Sequence, residues 1–179
     1  MTVATTPRIA RLGHVGLHCQ DLPTMEEFYT QGLGLYVTDR DDDLGLVFLS
    51  AQPKTEHHEL LLTRGRNVPP GSKLIQQISF RCDNLEDVVG FHQRLRERGV
   101  KFSHVVTHGN AIGAYFYDPE GNLCEVYWNT GLQARQPFSM PVDLDKDADE
   151  VMADVRYAVE QYGETGYRGG LISRPSTNS

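Results

Sequence analysis

The sequence predicts an α+β fold of two tandem βαβββ units followed by a C-terminal helix. Three observations predict it. The order strand, helix, strand, strand, strand can be read between Ile9 and Thr63; the same order restarts after the Gly/Pro break RNVPPGS; and DADEVMADVRYAVEQYG carries one apolar stripe at helical spacing.

In the first unit, RIARLGHVGLHC places Ile9, Leu12, Val15 and Leu17 against polar neighbours, as in a strand beside a core. DLPTMEEFYTQGLGL comes next as a helix, with Asp21 as cap, Pro23 in the first turn and Met25, Phe28 and Tyr29 at helical spacing; Gly32 and Gly34 stop it. Strands are expected near Tyr36–Asp39, Leu46–Ser50 and Glu59–Thr63, separated by DRDDD and SAQPKTE.

The second unit repeats this order with KLIQQISFRC as a strand, NLEDVVGFHQRLRERGV as a helix, and strands near Phe102–His104, Ile112–Tyr117 and Leu123–Trp128. A shift of 63 residues lays Val15 on Ile78, Leu17 on Phe80, Cys19 on Cys82, Leu22 on Leu85, Phe28 on Phe91 and His14 on Gln77. A shift of 66 lays HHELLL on LCEVYW and Glu59 on Glu125. The expected organisation is a paired-unit domain over residues 1–135, with units at about 7–66 and 72–129, then a connector, helix and mobile tail over 136–179. In that tail QPFSMPVDLD reads as a polar connector, and Val151, Val155, Ala158 and Tyr162 form the stripe of a helix that Asp147 caps and Gly163 ends.

Composition narrows the function. Asp plus Glu outnumber Lys plus Arg by 24 to 17, for a net charge of −7, and no basic stripe is present, so nucleic acid is not an expected partner. Cys19, Cys82 and Cys124 are odd in number, far apart and set in apolar stretches, which offers neither a disulfide framework nor a CxxC metal knuckle. No apolar run approaches the ~20 residues that span a bilayer, and no basic start leads into an apolar segment, so a cytoplasmic protein without a membrane partner is expected.

Several polar residues invite a structural reading. A strand histidine such as His14 is commonly just hydrogen-bonded, Glu59 changes face with a one-residue change of register, and DPEG is a turn whatever else it is. His18, His92 and His104 are assigned to structure or solvent. Glu125, between Cys124 and Val126 in an apolar strand, is costly to bury without a partner and points to a metal or hydrogen-bond role.

Three stretches, GHVGL, HHELLL and THGNAIGAYFYDPEGNLCE, together with the tandem βαβββ order, resemble the vicinal oxygen chelate superfamily, which comprises glyoxalases, extradiol dioxygenases, epimerases and antibiotic-resistance proteins. The resemblance implies that the two units form a half-closed mixed-sheet barrel whose inner wall holds one divalent metal. It is nearest to the one-domain type I extradiol catechol dioxygenases. His14 matches the first metal ligand, Gln77 stands where the second ligand histidine is usual, and Glu125 matches the closing glutamate; Glu59 is a further possible ligand. The adjacent His57 and His58 look like the family's paired active-site histidines, with His58 as acid/base, while His108 and Tyr115 match residues that hydrogen-bond the substrate oxygens. His58, His108 and Tyr115 are thus the implied catalytic residues, and His57, His58 and Tyr115 the implied substrate contacts. Asp118, Pro119 and Gly121 fall in place, and Ala114 replaces a larger apolar residue.

The activity this resemblance implies is cleavage of a catechol-like ring by O₂ with Fe²⁺, or alternatively Mn, Ni or Zn, in a homo-oligomer whose partners are a small aromatic substrate and O₂. Gln77 keeps other chemistry open, because an amide oxygen is a weaker ligand than imidazole for a borderline ion and tolerable for a hard one. A glyoxalase- or epimerase-like lyase or isomerase using Ni, Zn or Co, and a metal-free small-molecule binding protein of the same fold, remain alternatives.

Overall fold

The structure, a computed structural model, describes residues 11–172; Ile9 and the tail from residue 173 lie outside the described residues. The chain divides into two compact units at residues 67 and 68.

In the first unit β1 (Val15–Cys19) leads to α1 (Leu22–Glu27), and β2 (Tyr36–Asp41), β3 (Leu46–Ser50) and β4 (Leu60–Arg64) complete a four-stranded sheet of order β1-β4-β3-β2. The crossover makes β1 and β4 parallel, and the remaining neighbours are antiparallel. The Asp21 side chain accepts the Thr24 amide at 3.1 Å and starts α1. The helix then widens into a π-helical turn over Phe28–Gly32, a local departure from the regular helix expected, and Gly34 leaves it at φ +77°. Met25 and Tyr29 are fully buried with alternate strand residues Leu17, Val47, Leu49, Leu60 and Leu62.

The second unit begins with β5 (Ile78–Arg81), much shorter than the KLIQQISFRC segment, so Gln76 and Gln77 precede the strand. Then come α2 (Leu85–Glu97), β6 (Phe102–Thr107), β7 (Ala111–Tyr117) and β8 (Leu123–Asn129). Asn84 caps α2 by accepting the Asp87 amide at 2.8 Å. Leu85, Val88, His92 and Leu95 turn inward with Phe116, Cys124 and Val126 of the sheet.

The segment expected as a connector contains a further strand, β9 (Phe138–Pro141), which pairs with β6; β10 (Tyr167–Arg168) pairs with β9. The second sheet therefore has six strands, in the order β10-β9-β6-β7-β8-β5. Four residues bounded by prolines carry no periodic signal, and the pairing is made by tertiary contact. The last helix, α3 (Ala148–Tyr162), is capped by Asp147 as expected. It buries Val151, Val155 and Ala158, and Ala158 joins Phe138 and Met140 in a core cluster, whereas Tyr162 is 40% exposed and lies against the Tyr167 ring.

The strand ladders correct one part of the repeat. β1 pairs Val15 with Leu60, and β5 pairs Ile78 with Cys124. If Val15 is laid on Ile78, a shift of 63, then Leu60 falls on Cys124, a shift of 64. His14 keeps Gln77 as its counterpart, but Glu125 corresponds to Leu61 and Glu59 to Leu123. Matching the glutamates by residue type displaced the alignment by two positions, about 7 Å along a strand.

Candidate active site

The residues singled out by sequence divide between the units. His14, His57, His58 and Glu59 belong to the first, and Gln77, His108, Tyr115 and Glu125 to the second.

In the first unit, parallel pairing of β1 and β4 brings the residues before each strand together: the Val15 amide donates to the Glu59 carbonyl at 3.0 Å. The His14 and His58 rings lie 4.3 Å apart, and Phe48 stands edge-on to both His57 and His58. His57 Nδ1 and His58 Nδ1 are 2.8 Å apart, so one of them donates to the other. His57 Nε2 lies 3.6 Å from Asp39 Oδ2. Burial first, then the neighbouring His14 and His57, hold the His58 pKa below the ordinary histidine value. The Glu59 carboxylate is engaged otherwise: its Oε2 accepts Ser50 Oγ at 2.8 Å and the Ala51 amide at 2.7 Å, tying down the loop between β3 and β4.

The second unit holds a denser array. Glu125, on β8, is only 6% exposed, and its Oε2 accepts Ser79 Oγ at 2.5 Å and Gln77 Nε2 at 3.1 Å. Gln77 also donates to Ser79 Oγ at 2.8 Å. The β7–β8 ladder sets Tyr115 directly opposite Glu125. Burial, and then a hydrogen bond with the Glu125 carboxylate, push the Tyr115 pKa far up, so its phenol keeps its proton. Space for the carboxylate comes from Gly113: a Cβ there would collide with Glu125 Oε1 and sit 3.3 Å from its Cδ.

His108 adjoins Tyr115 from the other side. Its Nδ1 lies 2.9 Å from the Phe138 carbonyl, which only accepts, so Nδ1 carries hydrogen. In the neutral ring Nε2 is then the acceptor, 3.4 Å from the Tyr115 hydroxyl. Gln136 Nε2 donates to the His108 carbonyl at 2.8 Å, while Gln136 Oε1 accepts the Phe138 amide at 3.0 Å. The chain just before and within β9 thus fixes both ends of His108.

Three participants escaped sequence reasoning. Ser79 lies two residues beyond Gln77, just inside β5, and only that spacing could have signalled it. His104, assigned to structure or solvent, is paired with Tyr115 across β6 and β7 and stacks on its ring at 4.2 Å and 19°. Gln136 acts through tertiary contact alone. Asp118, by contrast, is a turn residue: its carboxylate accepts the Glu120 and Asn122 amides and Asn122 Nδ2.

Residues 11–126 match the family model described as the Glyoxalase/Bleomycin resistance protein/Dioxygenase superfamily. The chain belongs to this superfamily. Among its relatives is a biphenyl-2,3-diol 1,2-dioxygenase of Rhodococcus globerulus, 30% identical over 131 residues, which are 70% of this chain and 64% of the relative. A manganese-dependent 2,3-dihydroxybiphenyl 1,2-dioxygenase of Geobacillus genomosp. 3 is 29% identical over 127 residues, 69% of this chain and 38% of the relative. The match thus spans less than two thirds of either relative's length. A glyoxalase/dioxygenase structure from Nostoc punctiforme shares the superfamily fold, with a TM-score of 0.57 at 18% identity over 72% of this chain and 97% of that one.

The superfamily includes metal-dependent dioxygenases, which raises the fit of a metal. Among the described residues no group of three or more His, Cys, Asp or Glu side chains is gathered as a metal site. Gln77 and Glu125 do converge, with Gln77 Nε2 donating to Glu125 Oε2 at 3.1 Å. Turning the Gln77 amide over presents its oxygen in place of the NH₂, and a carboxylate beside an amide oxygen fits a hard divalent cation. No helix among the described residues is long and apolar enough to cross a membrane.

Proposed function

We propose that the chain is a metal-dependent extradiol-type dioxygenase that opens the ring of a catechol-like aromatic diol with O₂. The observation that carries this reading is the array in the second unit: a buried carboxylate beside an amide, a phenol that keeps its proton, and a histidine whose tautomer is set by a backbone carbonyl. The names of the relatives, which act on aromatic diols, favour it.

In this reading Gln77 and Glu125 of the second unit would hold a divalent iron or manganese ion. When bound, the metal supplies a Lewis-acidic, redox-capable centre open to a catecholate and O₂. The protein's own groups do the rest. Tyr115 donates its one hydroxyl hydrogen to a substrate oxygen in exchange for the Glu125 carboxylate, and His108, with Nε2 3.4 Å from that hydroxyl, holds the phenol in position. In the first unit His58, its pKa held down, is suited to act as a base, and His57 orients it through the contact between their Nδ1 atoms. Ser79 and Gln77 keep the Glu125 carboxylate in one place, and Gly113 leaves it room. Both atoms of O₂ enter the product, and the ring C–C bond next to the diol breaks.

Metal analysis of protein purified without air, followed by oxygen uptake with a panel of catechols, tests the proposal. Bound iron or manganese with a yellow ring-fission product is the expected result. Gln77 favours a second reading, because an amide instead of an imidazole also suits an isomerase or lyase of the glyoxalase type. Zinc or nickel without oxygen uptake would establish that reading in place of the first.

A further inference from the structure

We propose that His104 is a positioning residue for Tyr115: its imidazole, stacked on the phenol, fixes the plane of that ring and so the direction in which the hydroxyl donates. The inference rests on the reading that Tyr115 donates to a substrate oxygen, and deepens it by naming what aims the bond.

The arrangement lies within the second unit and follows from its ladders. His104 stands opposite Tyr115, Tyr115 opposite Glu125, and Ser79 beside Glu125, so one rung across β6, β7, β8 and β5 carries polar side chains on a single face of the sheet. A bulge admits His104 to that rung. Phe102 opposes Phe116, and unbroken antiparallel pairing would set Ser103 against Tyr115; the register shifts between Phe102 and His104, and His104 takes the place instead. Its ring lies 4.2 Å from the Tyr115 ring at 19°. Ser103 Oγ, 3.0 Å from His104 Nδ1, holds the imidazole against rotation.

The contacts at the other parts of Tyr115 explain why a stacked ring matters. Glu125 and His108 meet the phenol at its hydroxyl tip, and Gly113, beneath Tyr115 Cε2, brings no side chain to the ring. A phenol held at its tip alone is free to swing once a substrate oxygen replaces Glu125 as acceptor. His104 holds the ring face and outlasts that exchange. The imidazole is itself exposed while Tyr115 is only 7% exposed, so it also covers one face of the phenol. Burial first, then His108, hold the His104 pKa below the ordinary histidine value against the pull of Glu125; the stack therefore joins two uncharged rings, and phenyl can replace imidazole in it.

One arm of the test needs neither metal nor substrate. In full-length metal-free protein with ring-labelled tyrosine, Tyr115 is assigned by its loss in Tyr115→Phe, and carbon relaxation reports the order of its ring. Glu125→Ala, which releases the hydroxyl as a substrate would, should leave the ring ordered; adding His104→Ala should make it mobile, and adding His104→Phe should not. The other arm is oxygen uptake with catechol by protein loaded with Fe²⁺. There His104→Ala should lower kcat about ten-fold with KM nearly unchanged, His104→Phe should restore it, and in a Tyr115→Phe background His104→Ala should cost nothing further. A Tyr115 ring equally ordered with and without His104, a ring already mobile in Glu125→Ala alone, or an equal loss of kcat in both backgrounds would overturn the proposal. Failure of the ring-opening reading is separable: a wild-type protein without oxygen uptake removes the reaction, and ring relaxation alone then decides whether His104 holds the phenol.

Discussion

Gly113→Ala should uncouple the Glu125 network, and its cost can be worked from the geometry. The added methyl would occupy the place of Glu125 Oε1 and stand 3.3 Å from Tyr115 Cε2. Carboxylate termini usually swing aside at little cost, but this one is held by Ser79 and Gln77 and hydrogen-bonded to Tyr115. If it retreats, it forfeits bonds to a charged acceptor worth about 1.5–3 kcal/mol each; if it stays, the strands must part at about 1–3 kcal/mol of overpacking. Removing a glycine from a strand returns about 0.5–1 kcal/mol, so by the cheaper route the net loss is about 1 kcal/mol. The same substitution made in a Glu125→Ala background meets no carboxylate, so only the gain of about 0.5–1 kcal/mol remains and the sign reverses. Urea unfolding of the four proteins at neutral pH, with midpoints compared at constant m, measures the coupling. An equal cost of Gly113→Ala in both backgrounds would refute the claim that the glycine exists to seat the carboxylate.

Three further outcomes are expected. His92 Nδ1 is buried without a hydrogen-bond partner, and burial first, then Arg96, hold its pKa below 6.5 against the opposing pull of Asp145 and Asp143. The unfolded chain therefore takes up the proton first, stability falls as the pH drops below about 6.5, and His92→Leu should flatten that slope in urea midpoints measured between pH 7 and pH 5. Asp118→Ala strips the acceptors from the Glu120 and Asn122 amides and from Asn122 Nδ2 and should cost about 2–4 kcal/mol, while Asp118→Asn, which keeps one acceptor oxygen, should cost less; chemical denaturation of both variants checks the order. Gln77→His should tighten iron binding about ten-fold or more, read by competition with a chelator, with equal or greater oxygen uptake on catechols; loss of bound metal would count against the ligand assignment.

Most of the architecture was legible because periodicity and caps agree with tertiary structure. Asp21, Asn84 and Asp147 each accept the amide three residues on, and the alternation of Leu60 and Leu62 in β4 settles which face is buried. The π-helical turn at Phe28–Gly32 left no mark, since Phe28 and Tyr29 suit either helical form. Strand β9 was equally silent: with prolines at Pro137 and Pro141 it reads as a broken connector, and it gains its hydrogen bonds only by meeting β6.

Residue types in the candidate site could be read, but their partners could not, and the two glutamates show why. Both close a βαβββ unit beside an apolar strand, and sequence alone makes them equivalent. The ladders separate them by two positions, and their neighbours then decide their fates. Glu59 falls before β4, where Ser50 and the Ala51 amide are free to take its carboxylate as a loop anchor. Glu125 falls inside β8, opposite Tyr115 and beside Gly113, where the sheet interior offers only side chains that can share a proton with it or hold it still. A carboxylate that holds a backbone amide gives up a loop anchor if it turns to a ligand, whereas one met only by side chains can exchange those partners for another. Position along the ladder, more than the presence of a glutamate, therefore separates a structural acid from a candidate reactive one in this fold.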